Sequence, residues 1–362
     1  MNWVGGRRRR RFAVDFAGGW LCYTPLSLWT RAFFPPAASL RKGTDSMITL
    51  VGVIGAGKTG QGIIQGIAQA GVNIIFREMS DDIAREAVKS IEANLDRRIQ
   101  RWSITPSEKA ATLSRVKHTT EYEPLLKAEI IIEAVRDDFA VKASICRDMA
   151  PLLNEKTIYC THTATLSVTK LADLSPHPDR FAGIHFLPPA HRSRLVEIVR
   201  GLKTANETVA AVKSLITQID RTGIEVYEYP GYVTTRLILP LLNEAMQIVM
   251  EGTASIEDVD KSMRLGYDFP QGPLEMADQM GLDELLLWFE HLWRELGDAR
   301  FRPCPLLRMM VRAGYLGMKT GRGFFTYDAA GRRIGEAFTS GVFAGYLLGS
   351  GNNGKGGVNE IP

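Results

Sequence analysis

The sequence predicts an α/β fold in which a doubly wound, parallel sheet is followed by an all-helical domain. Between residues 47 and 229, short β-branched runs alternate with amphipathic helical patterns, which is typical of a parallel sheet covered by helices. After Pro230–Gly231 only helical patterns follow. With 362 residues, 45% of them hydrophobic and 23% charged, the chain is long enough for two domains with sizeable cores.

The first 46 residues differ in composition from the rest. They hold eight Lys/Arg and two Asp, whereas the remainder holds 36 basic and 38 acidic residues. The positive balance therefore belongs to this leader, and a nucleic-acid-binding body is not supported. We interpret the leader as an extension upstream of a natural start at Met47, because "MITLVGVIGAG" opens directly with a strand; a mitochondrial transit peptide is the alternative. The expected location is cytoplasmic, or the mitochondrial matrix if the leader is a transit peptide.

Neither a membrane segment nor a metal site is predicted. No apolar run reaches the roughly 18 to 20 residues that span a bilayer. The four cysteines form no C-x-x-C pair, and the histidines do not have the spacing of metal ligands. We therefore expect neither membrane nor metal partners.

Eight runs predict the strands of the sheet. In chain order they are "ITLVGVIG", "VNIIF", "VKHTT", "EIIIEAV", "KTIYCT", "RFAGIHF", "LVEIVRG" and "GIEVYEY". A helix is predicted after the first run, over "TGQGIIQGIAQA". Two amphipathic helices follow the second run, and Ser80 and Thr105 are their expected N-caps.

The helical domain is predicted over residues 230–328. Its first helix, "YVTTRLILPLLNEAMQIVMEG", ends at Gly252, and its second begins with Ser255 as a cap. The stretch "LPLLNEAMQIVM" contains more apolar surface than a small domain easily covers, so we expect a homodimer. Residues 329–362 are rich in glycine and are predicted to be a disordered tail.

A glycine-rich loop predicts a dinucleotide site. The loop follows the first strand, opens a helix and reads Gly55-Ala56-Gly57-Lys58-Thr59-Gly60. Its G-x-G-x-x-G spacing permits a tight turn, a close approach of the backbone to a pyrophosphate, and close packing of helix against strand. Glu78, at the end of the next strand, is expected to accept hydrogen bonds from ribose hydroxyls and to repel a 2′-phosphate. The predicted cofactor is therefore NAD, bound by a Rossmann-type domain.

Four segments resemble the L-3-hydroxyacyl-CoA dehydrogenases, which include the 3-hydroxybutyryl-CoA dehydrogenases. They are "VGVIGAGKTGQGIIQGIAQAGVNIIFREMS", "RFAGIHFLPPAHRSRLVEIVRG", "PGYVTTRLILPLLNEAMQ…GPLEMADQMGLD" and "GMKTGRGFFTYD". The resemblance covers residues 48–328. It implies a Rossmann domain over 47–229, a helical substrate and dimerisation domain over 230–328, and an oxidoreductase of fatty acid metabolism. Such an enzyme interconverts a 3-hydroxyacyl-CoA and a 3-oxoacyl-CoA by passing hydride to NAD.

The resemblance also implies a catalytic pair. His185 occupies the position of the general base and acid, and Glu197 that of the carboxylate which orients it. A histidine suits this task near neutral pH, and a carboxylate beside it fixes its tautomer and stabilises its cation. The two residues lie on consecutive predicted strands, so we expect them to pair.

Three polar residues of the family pattern are replaced in this chain. A serine is replaced by Ala164, and asparagines are replaced by Pro188 and Thr235. Thr165 retains a hydroxyl beside Ala164 and is a candidate partial substitute, and Thr235 is kept as a candidate catalytic residue. Losing one neutral hydrogen bond at a reacting centre costs about 1–3 kcal/mol, so these replacements are expected to slow the reaction and not to abolish it.

Five further positions carry a role implied by the resemblance. Asp137, Lys142 and Lys319 match residues beside the cofactor, and Asn94 and Arg101 match the helix pair that contacts CoA. Two alternative functions remain open at this point. One is a homologue that binds NAD or acyl-CoA without turnover, and the other is a dehydrogenase of a hydroxy acid without CoA.

Overall fold

The structure, a computed structural model, describes residues 47–337. The predictions for the leader and for residues 338–362 lie outside the described residues. Within the described part, no helix combines the length and the apolar character needed to cross a bilayer. The main architectural feature is one eight-stranded sheet covered by helices, followed by a mostly helical region.

All eight predicted strands form, and they belong to one sheet. Their order is β3-β2-β1-β4-β5-β6-β7-β8. The bounds are β1 Leu50–Ile54, β2 Asn73–Arg77, β3 Val116–Thr119, β4 Ile130–Glu133, β5 Ile158–His162, β6 Phe181–Phe186, β7 Leu195–Arg200 and β8 Thr222–Tyr227. β7 is antiparallel to β6, and the other neighbours are parallel. The antiparallel pair arises because only eight residues separate β6 from β7, too few for a crossover helix.

Six helices accompany the sheet. They are α1 Lys58–Gln69, α2 Asp81–Gln100, α3 Pro106–Ser114, α4 Phe139–Met149, α5 Val168–Ala172 and α6 Asn206–Gln218. The two predicted N-caps are confirmed: the hydroxyl of Ser80 accepts from the amide of Ile83, and Thr105 forms a capping box with Glu108. The central strands are buried on both faces, which explains their continuous apolar runs.

Residues 231–337 contain five helices. They are α7 Thr234–Met250, α8 Ile256–Gly266, α9 Pro273–Met280, α10 Leu282–Leu296 and α11 Pro305–Arg312. The predicted cap of α8 is present, because the Ser255 hydroxyl accepts from the amide of Asp258. Leu239, Leu242 and Met246 of α7 are fully buried in the core of this region. The apolar stretch that suggested a dimer is thus largely covered within one chain, and the homodimer stays a prediction.

Two strands contradict the all-helical prediction. β9 Phe325–Tyr327 and β10 Arg333–Glu336 form an antiparallel hairpin, so the ordered chain extends beyond the predicted end at residue 328. The buried carboxylate of Asp278 explains why the chain is held here. It accepts hydrogen bonds from the backbone amide of Phe325 and from the Tyr327 hydroxyl, both at 2.9 Å. Short runs rich in aromatic residues are ambiguous between helix and strand, and the packing against Asp278 decides this one.

Candidate active site

A cavity of about 540 Å³ opens where the carboxyl ends of the parallel strands face the helical region. One side is formed by the glycine-rich loop, including Gly57, and another by the ends of β5 and β6, including His185. The helical region contributes Lys319 and two residues of α10, Glu284 and Trp288. This edge is where parallel α/β sheets bind ligands, because loops there diverge to opposite faces of the sheet.

Two of the three loop glycines are required by the geometry of the loop, and the third lines the cavity. Gly55 has φ +91°, in the region that disfavours residues with a Cβ. A Cβ on Gly60 would lie 2.0 Å from the carbonyl oxygen of Gly55, so α1 packs directly on the turn. A Cβ on Gly57 would meet nothing within 4 Å, and this glycine lines the cavity. The loop therefore leaves room at the start of α1 for the close approach of a pyrophosphate.

The remaining loop residues and Glu78 surround the same end of β1. Glu78 follows the carboxyl end of β2, and its carboxylate accepts a hydrogen bond from the amide of Ala56 in the loop. Lys58 and Thr59 line the cavity, and the Lys58 ammonium donates to the carbonyl of Gln279 across the cavity at 3.0 Å. The chemistry of this end, open backbone amides beside a carboxylate, fits a dinucleotide without a 2′-phosphate.

Lys319 reaches the cavity from the helical region. Its ammonium is paired with the carboxylate of Asp283 at 2.6 Å, and the residue lines the same cavity as the glycine-rich loop. A ligand in the cavity therefore faces cations from both parts of the chain.

His185 and Glu197 form a buried pair. They are directly opposite each other in the register of β6 and β7, and the His185 Nδ1 lies 2.6 Å from the Glu197 Oε2. Because a carboxylate only accepts, Nδ1 carries the proton and Nε2 is free of one. His185 lines the cavity and Glu197 is fully buried behind it. The predicted pairing on neighbouring strands is thus present in the structure.

The start of α7 holds Glu197 in its ionised form. The amides of Val233 and Thr234 donate to its Oε1 at 3.1 and 2.9 Å, and the Thr234 hydroxyl donates to its Oε2 at 2.7 Å. Burial alone raises the pKa of Glu197. The hydrogen bond and charge of His185, together with the hydrogen bonds of Thr234, outweigh burial and bring this pKa below its usual value. Sequence reasoning missed Thr234, whose only signal is its place at the start of a helix.

The structure places Ala164 and Thr165 on different sides of one turn. Ala164 lines the cavity, whereas Thr165 lines a second cavity of about 680 Å³ together with His291 of α10. The Thr165 hydroxyl is 2.9 Å from Nδ1 of His291. It therefore bonds to the helical region and has no hydrogen bond to His185, which does not support the idea that it substitutes for the missing serine.

Asp137 lies directly behind Ala164. Its Oδ2 accepts from the amide of Ala164 at 3.0 Å, and it lines the cavity while remaining 8% exposed. Its Oδ1 is buried and has no hydrogen-bond partner. Buried polar atoms are rarely left without a partner, so this oxygen is a candidate to accept a donor from a bound ligand.

Lys142 is placed away from the cavity. It is fully buried, and its ammonium donates to both carboxylate oxygens of Glu133 at 2.8 and 3.0 Å and to the carbonyl of His162 at 2.7 Å. Sequence reasoning placed it beside the cofactor, whereas these contacts hold the end of β4 against the end of β5. Its effect on the cavity is therefore exerted through His162.

His162 is a cavity residue that the sequence did not single out. Its Nε2 donates to the carbonyl of Phe186 at 3.2 Å, and its ring lies 5.8 Å from that of His185. Burial, with the charges of His185 and Lys142, lowers the pKa of His162 to about 3. A neutral imidazole therefore faces the cavity beside the candidate base.

The other predicted site residues divide between cavity and surroundings. Pro188 and Asn94 line the cavity, and Thr235 is buried in the first turn of α7, beside the residue that binds Glu197. Arg101 is exposed just after the end of α2 and does not line the cavity. Within residues 47–337, no group of three or more His, Cys, Asp or Glu is arranged to hold a metal ion.

Two family matches account for nearly all of the described chain. Residues 50–229 match the 3-hydroxyacyl-CoA dehydrogenase NAD binding domain, and residues 231–327 match the 3-hydroxyacyl-CoA dehydrogenase C-terminal domain. The chain belongs to the 3-hydroxyacyl-CoA dehydrogenase family. The family is one of NAD-dependent oxidoreductases, which confirms the predicted fold class, cofactor and enzyme class.

Three relatives of this 3-hydroxyacyl-CoA dehydrogenase family member match it over nearly their whole length. A 3-hydroxybutyryl-CoA dehydrogenase of Bradyrhizobium diazoefficiens is 35% identical over 79% of this chain and 97% of its own. The (S)-3-hydroxybutyryl-CoA dehydrogenase of Ralstonia eutropha is 40% identical, with a TM-score of 0.72 over 78% of this chain and 100% of its own. A diketoreductase that acts on dicarbonyl compounds is 26% identical, with a TM-score of 0.67 over 78% of this chain and 100% of its own.

Proposed function

We propose that this protein interconverts a short-chain 3-hydroxyacyl-CoA and the matching 3-oxoacyl-CoA with NAD as the hydride carrier. The observation that carries the proposal is the His185–Glu197 pair, which lies on the same cavity as the glycine-rich loop. The names of the relatives support an acyl-CoA with four carbons. NAD, when bound, accepts the hydride from C3 of the hydroxyacyl group.

His185 is the proposed general base and acid. In the oxidation direction its Nε2 takes the proton of the 3-hydroxyl, and in the reduction direction the same atom returns it. Glu197 stabilises the imidazolium that forms, because the carboxylate already accepts from Nδ1 at 2.6 Å. Both groups are shielded from water, which strengthens their attraction.

The cofactor residues have separate proposed tasks. The amides at Gly57 and at the start of α1 bind the pyrophosphate, and Glu78 binds the adenosine ribose. Lys58 and Lys319 approach the dinucleotide from the two parts of the chain. Asp137 offers its free Oδ1 on the nicotinamide side.

Steady-state oxidation of NADH with acetoacetyl-CoA tests the proposal directly. We expect turnover with NADH, much weaker turnover with NADPH, and loss of turnover in His185→Ala. Removing a general base costs about 10²- to 10⁴-fold, so the loss should be in kcat while the Kd for NADH stays close to the wild-type value. A wild-type rate no higher than that of His185→Ala would instead favour a protein that binds its ligands without turnover.

A hydroxy acid or dicarbonyl compound without CoA is a second candidate substrate. It is favoured by a polar part of the cavity lining: the indole nitrogen of Trp288 is buried without a partner. Burial, together with the charge of Asp283, also raises the pKa of half-buried Glu284 in this lining. A plain alkyl chain would leave these groups unpaired, whereas a substrate with hydroxyl or carbonyl groups would satisfy them.

We also propose a homodimer. The apolar surface that supports it lies at the start of α7, where Leu237 is 72% exposed and Val233, just before the helix, is 43% exposed. Light scattering of the purified protein should give twice the mass of one chain, and Leu237→Glu should shift it toward the monomer. A monomeric wild type would exclude this proposal.

A further inference from the structure

The chain between the sheet and the helical region takes an unusual backbone conformation. Within this junction, residues 231–234, Gly231 has φ +79° and Tyr232 has φ +47°, so two consecutive residues are left-handed. A residue with a Cβ adopts this conformation only where surrounding contacts hold it there. The amide of Tyr232 donates to the carbonyl of Tyr229 at 2.9 Å. A Cβ on Gly231 would lie 2.7 Å from the Cδ2 of Leu292, so the junction is a fixed turn packed against α10.

The side chain of Tyr232 reaches from this junction into the sheet region. It is 5% exposed, and its hydroxyl donates to the backbone carbonyl of Leu166, 66 positions away in the chain, at 2.9 Å. Burial raises the pKa of Tyr232 well above its usual value, so the hydroxyl keeps its proton and acts as a donor. The bond therefore ties the start of the helical region to the loop that follows β5.

The segment that the tyrosine hydroxyl holds is a turn, residues 163–166, which forms part of the cavity wall. The hydroxyl of Thr163 accepts from the amide of Leu166 at 2.9 Å, which closes the turn on itself. Ala164, inside the turn, lines the cavity, and its amide donates to the Asp137 carboxylate at 3.0 Å. Because the turn is closed, a displacement at Leu166 carries Ala164 with it. The junction thus holds one end of this cavity wall, and Asp137 holds the other.

The same junction also contacts both members of the proposed catalytic pair. The ring of Tyr232 lies 6.2 Å from the imidazole of His185, centre to centre, and is tilted by 56° against it. The next two residues, Val233 and Thr234, donate their amides to the carboxylate of Glu197. Consecutive residues of one fixed turn therefore contact the base, its orienting carboxylate and the wall of the cavity.

We propose that Tyr232 is a positioning residue, which sets the distance between His185 and the cavity wall at Ala164. The inference rests on the proposed function. The ring holds the junction against the base, and the hydroxyl holds the wall against the junction, so a substrate meets both in one geometry. Without the hydroxyl, the wall is free to move relative to the base. A displacement of about 1 Å at a reacting centre can lower a rate about 100-fold, so this single bond affects the reaction.

Tyr232→Phe removes the hydroxyl and keeps the ring. In single-turnover reduction of saturating acetoacetyl-CoA by NADH, we expect the rate to fall about 3- to 10-fold, the effect of losing one neutral hydrogen bond. The Kd for NADH should stay within about twofold, because the glycine-rich loop is not part of this contact. The pH at which the rate is half-maximal should not move, since the hydroxyl bonds to a backbone carbonyl and not to His185.

Two results of this experiment would overturn the proposal. One is a rate within about twofold of the wild type, which would leave the hydroxyl without a part in the reaction. The other is a shift of the half-maximal pH in Tyr232→Phe. Such a shift would mean that Tyr232 acts on the proton affinity of His185 and not on its position.

Tyr327→Phe is the matched control for loss of stability. It also removes a buried tyrosine hydroxyl bond of 2.9 Å, here to Asp278 in the helical region. Both variants should unfold at a lower urea concentration than the wild type, but Tyr327→Phe should keep the single-turnover rate within about twofold. Tyr229→Phe changes a half-exposed tyrosine beside the junction and should leave both stability and rate unchanged. Equal rate losses in Tyr327→Phe and Tyr232→Phe would refute a positioning role, because the loss would then follow stability alone.

Amide hydrogen exchange tests the same contact without turnover, and so separates its failure from failure of the proposed function. In Tyr232→Phe, the amides of residues 163–166 should exchange about tenfold faster than in the wild type, while those of β4 keep their rate. Tyr327→Phe should leave exchange in residues 163–166 unchanged. If the wild type reduces no 3-oxoacyl-CoA, the faster exchange still supports the hold of Tyr232 on the cavity wall. Unchanged exchange in Tyr232→Phe refutes it.

Discussion

Replacing Glu197 by glutamine tests the proposed catalytic pair with the least change of shape. The Oε1 of Glu197 accepts from the backbone amides of Val233 and Thr234, which cannot reverse their role. The oxygen of the new amide must therefore occupy that place, and its NH₂ group must face His185. Two donors cannot form a hydrogen bond, so Nδ1 of His185 has to lose its proton and Nε2 has to gain it. The base is then protonated on the atom that should accept.

The expected loss can be worked out in two steps. A hydrogen bond to a charged group contributes about 1.5–3 kcal/mol, so loss of the carboxylate's hold on the imidazolium alone lowers kcat about 10- to 150-fold. The wrong tautomer adds to this, since the same kind of amide substitution lowers kcat about 10⁴-fold in a serine-protease triad. We therefore expect kcat of Glu197→Gln to fall by about 10²- to 10⁴-fold, with little change in the Kd for NADH.

Stopped-flow reduction of acetoacetyl-CoA under single-turnover conditions measures this step without product release. Glu225→Gln is the matched control, because Glu225 lies on the next strand but pairs with Arg200 at the surface. Circular dichroism should show the wild-type fold in both variants. If Glu197→Gln reduced the substrate within about threefold of the wild-type rate, Glu197 would have no role in setting the tautomer of His185.

Three further predictions follow from other contacts. Lys142→Met leaves the fully buried carboxylate of Glu133 without its cation, so the free energy of unfolding in urea should fall by about 3–5 kcal/mol, and Glu133→Gln in the same chain should recover part of it. Thr165→Val removes the hydrogen bond to His291 and should reduce stability by about 1 kcal/mol while kcat changes little; a kcat loss like that of His185→Ala would restore Thr165 as a catalytic residue. Folding lowers the pKa of Glu197, so the stability that the ionised carboxylate contributes is fully present above pH 4.5, its usual pKa. That contribution is lost as the pH falls from 4.5 through the pKa of the folded state. The unfolding free energies of wild type and Glu197→Gln should therefore converge in that range.

The sequence predicted the strands and the glycine-rich loop better than it predicted how the strands pair. All eight strands and the glycine-rich loop were found because their signals are local: β-branched runs, glycine spacing and one acid at a strand end. The direction of β7 was not found, because direction depends on the length of the connection after β6. The β9–β10 hairpin was missed because its three- and four-residue strands have too few residues to show a period.

Roles that depend on a contact between distant parts of the chain were the hardest to predict. Lys142 has the spacing of a cofactor residue, yet its burial against Glu133 is decided by the packing of α4 on the sheet. Thr234 acts on Glu197 through both its hydroxyl and its backbone amide, and this contact joins positions 37 residues apart in the chain. No local pattern contains such information.

Two of the three positions at which this chain departs from the family pattern line the cavity, whereas the proposed base is held from behind. His185 and Glu197 are joined by the register of β6 and β7, and Glu197 is fixed by amides at the start of α7. Neither contact involves Ala164 or Pro188, which line the cavity in front of the base. The replacements therefore alter what the cavity can grip, while the proton-transfer pair keeps its geometry. A change of substrate preference is a more direct consequence of this arrangement than a loss of catalysis, since the pair would have to be broken from behind for the chemistry to stop.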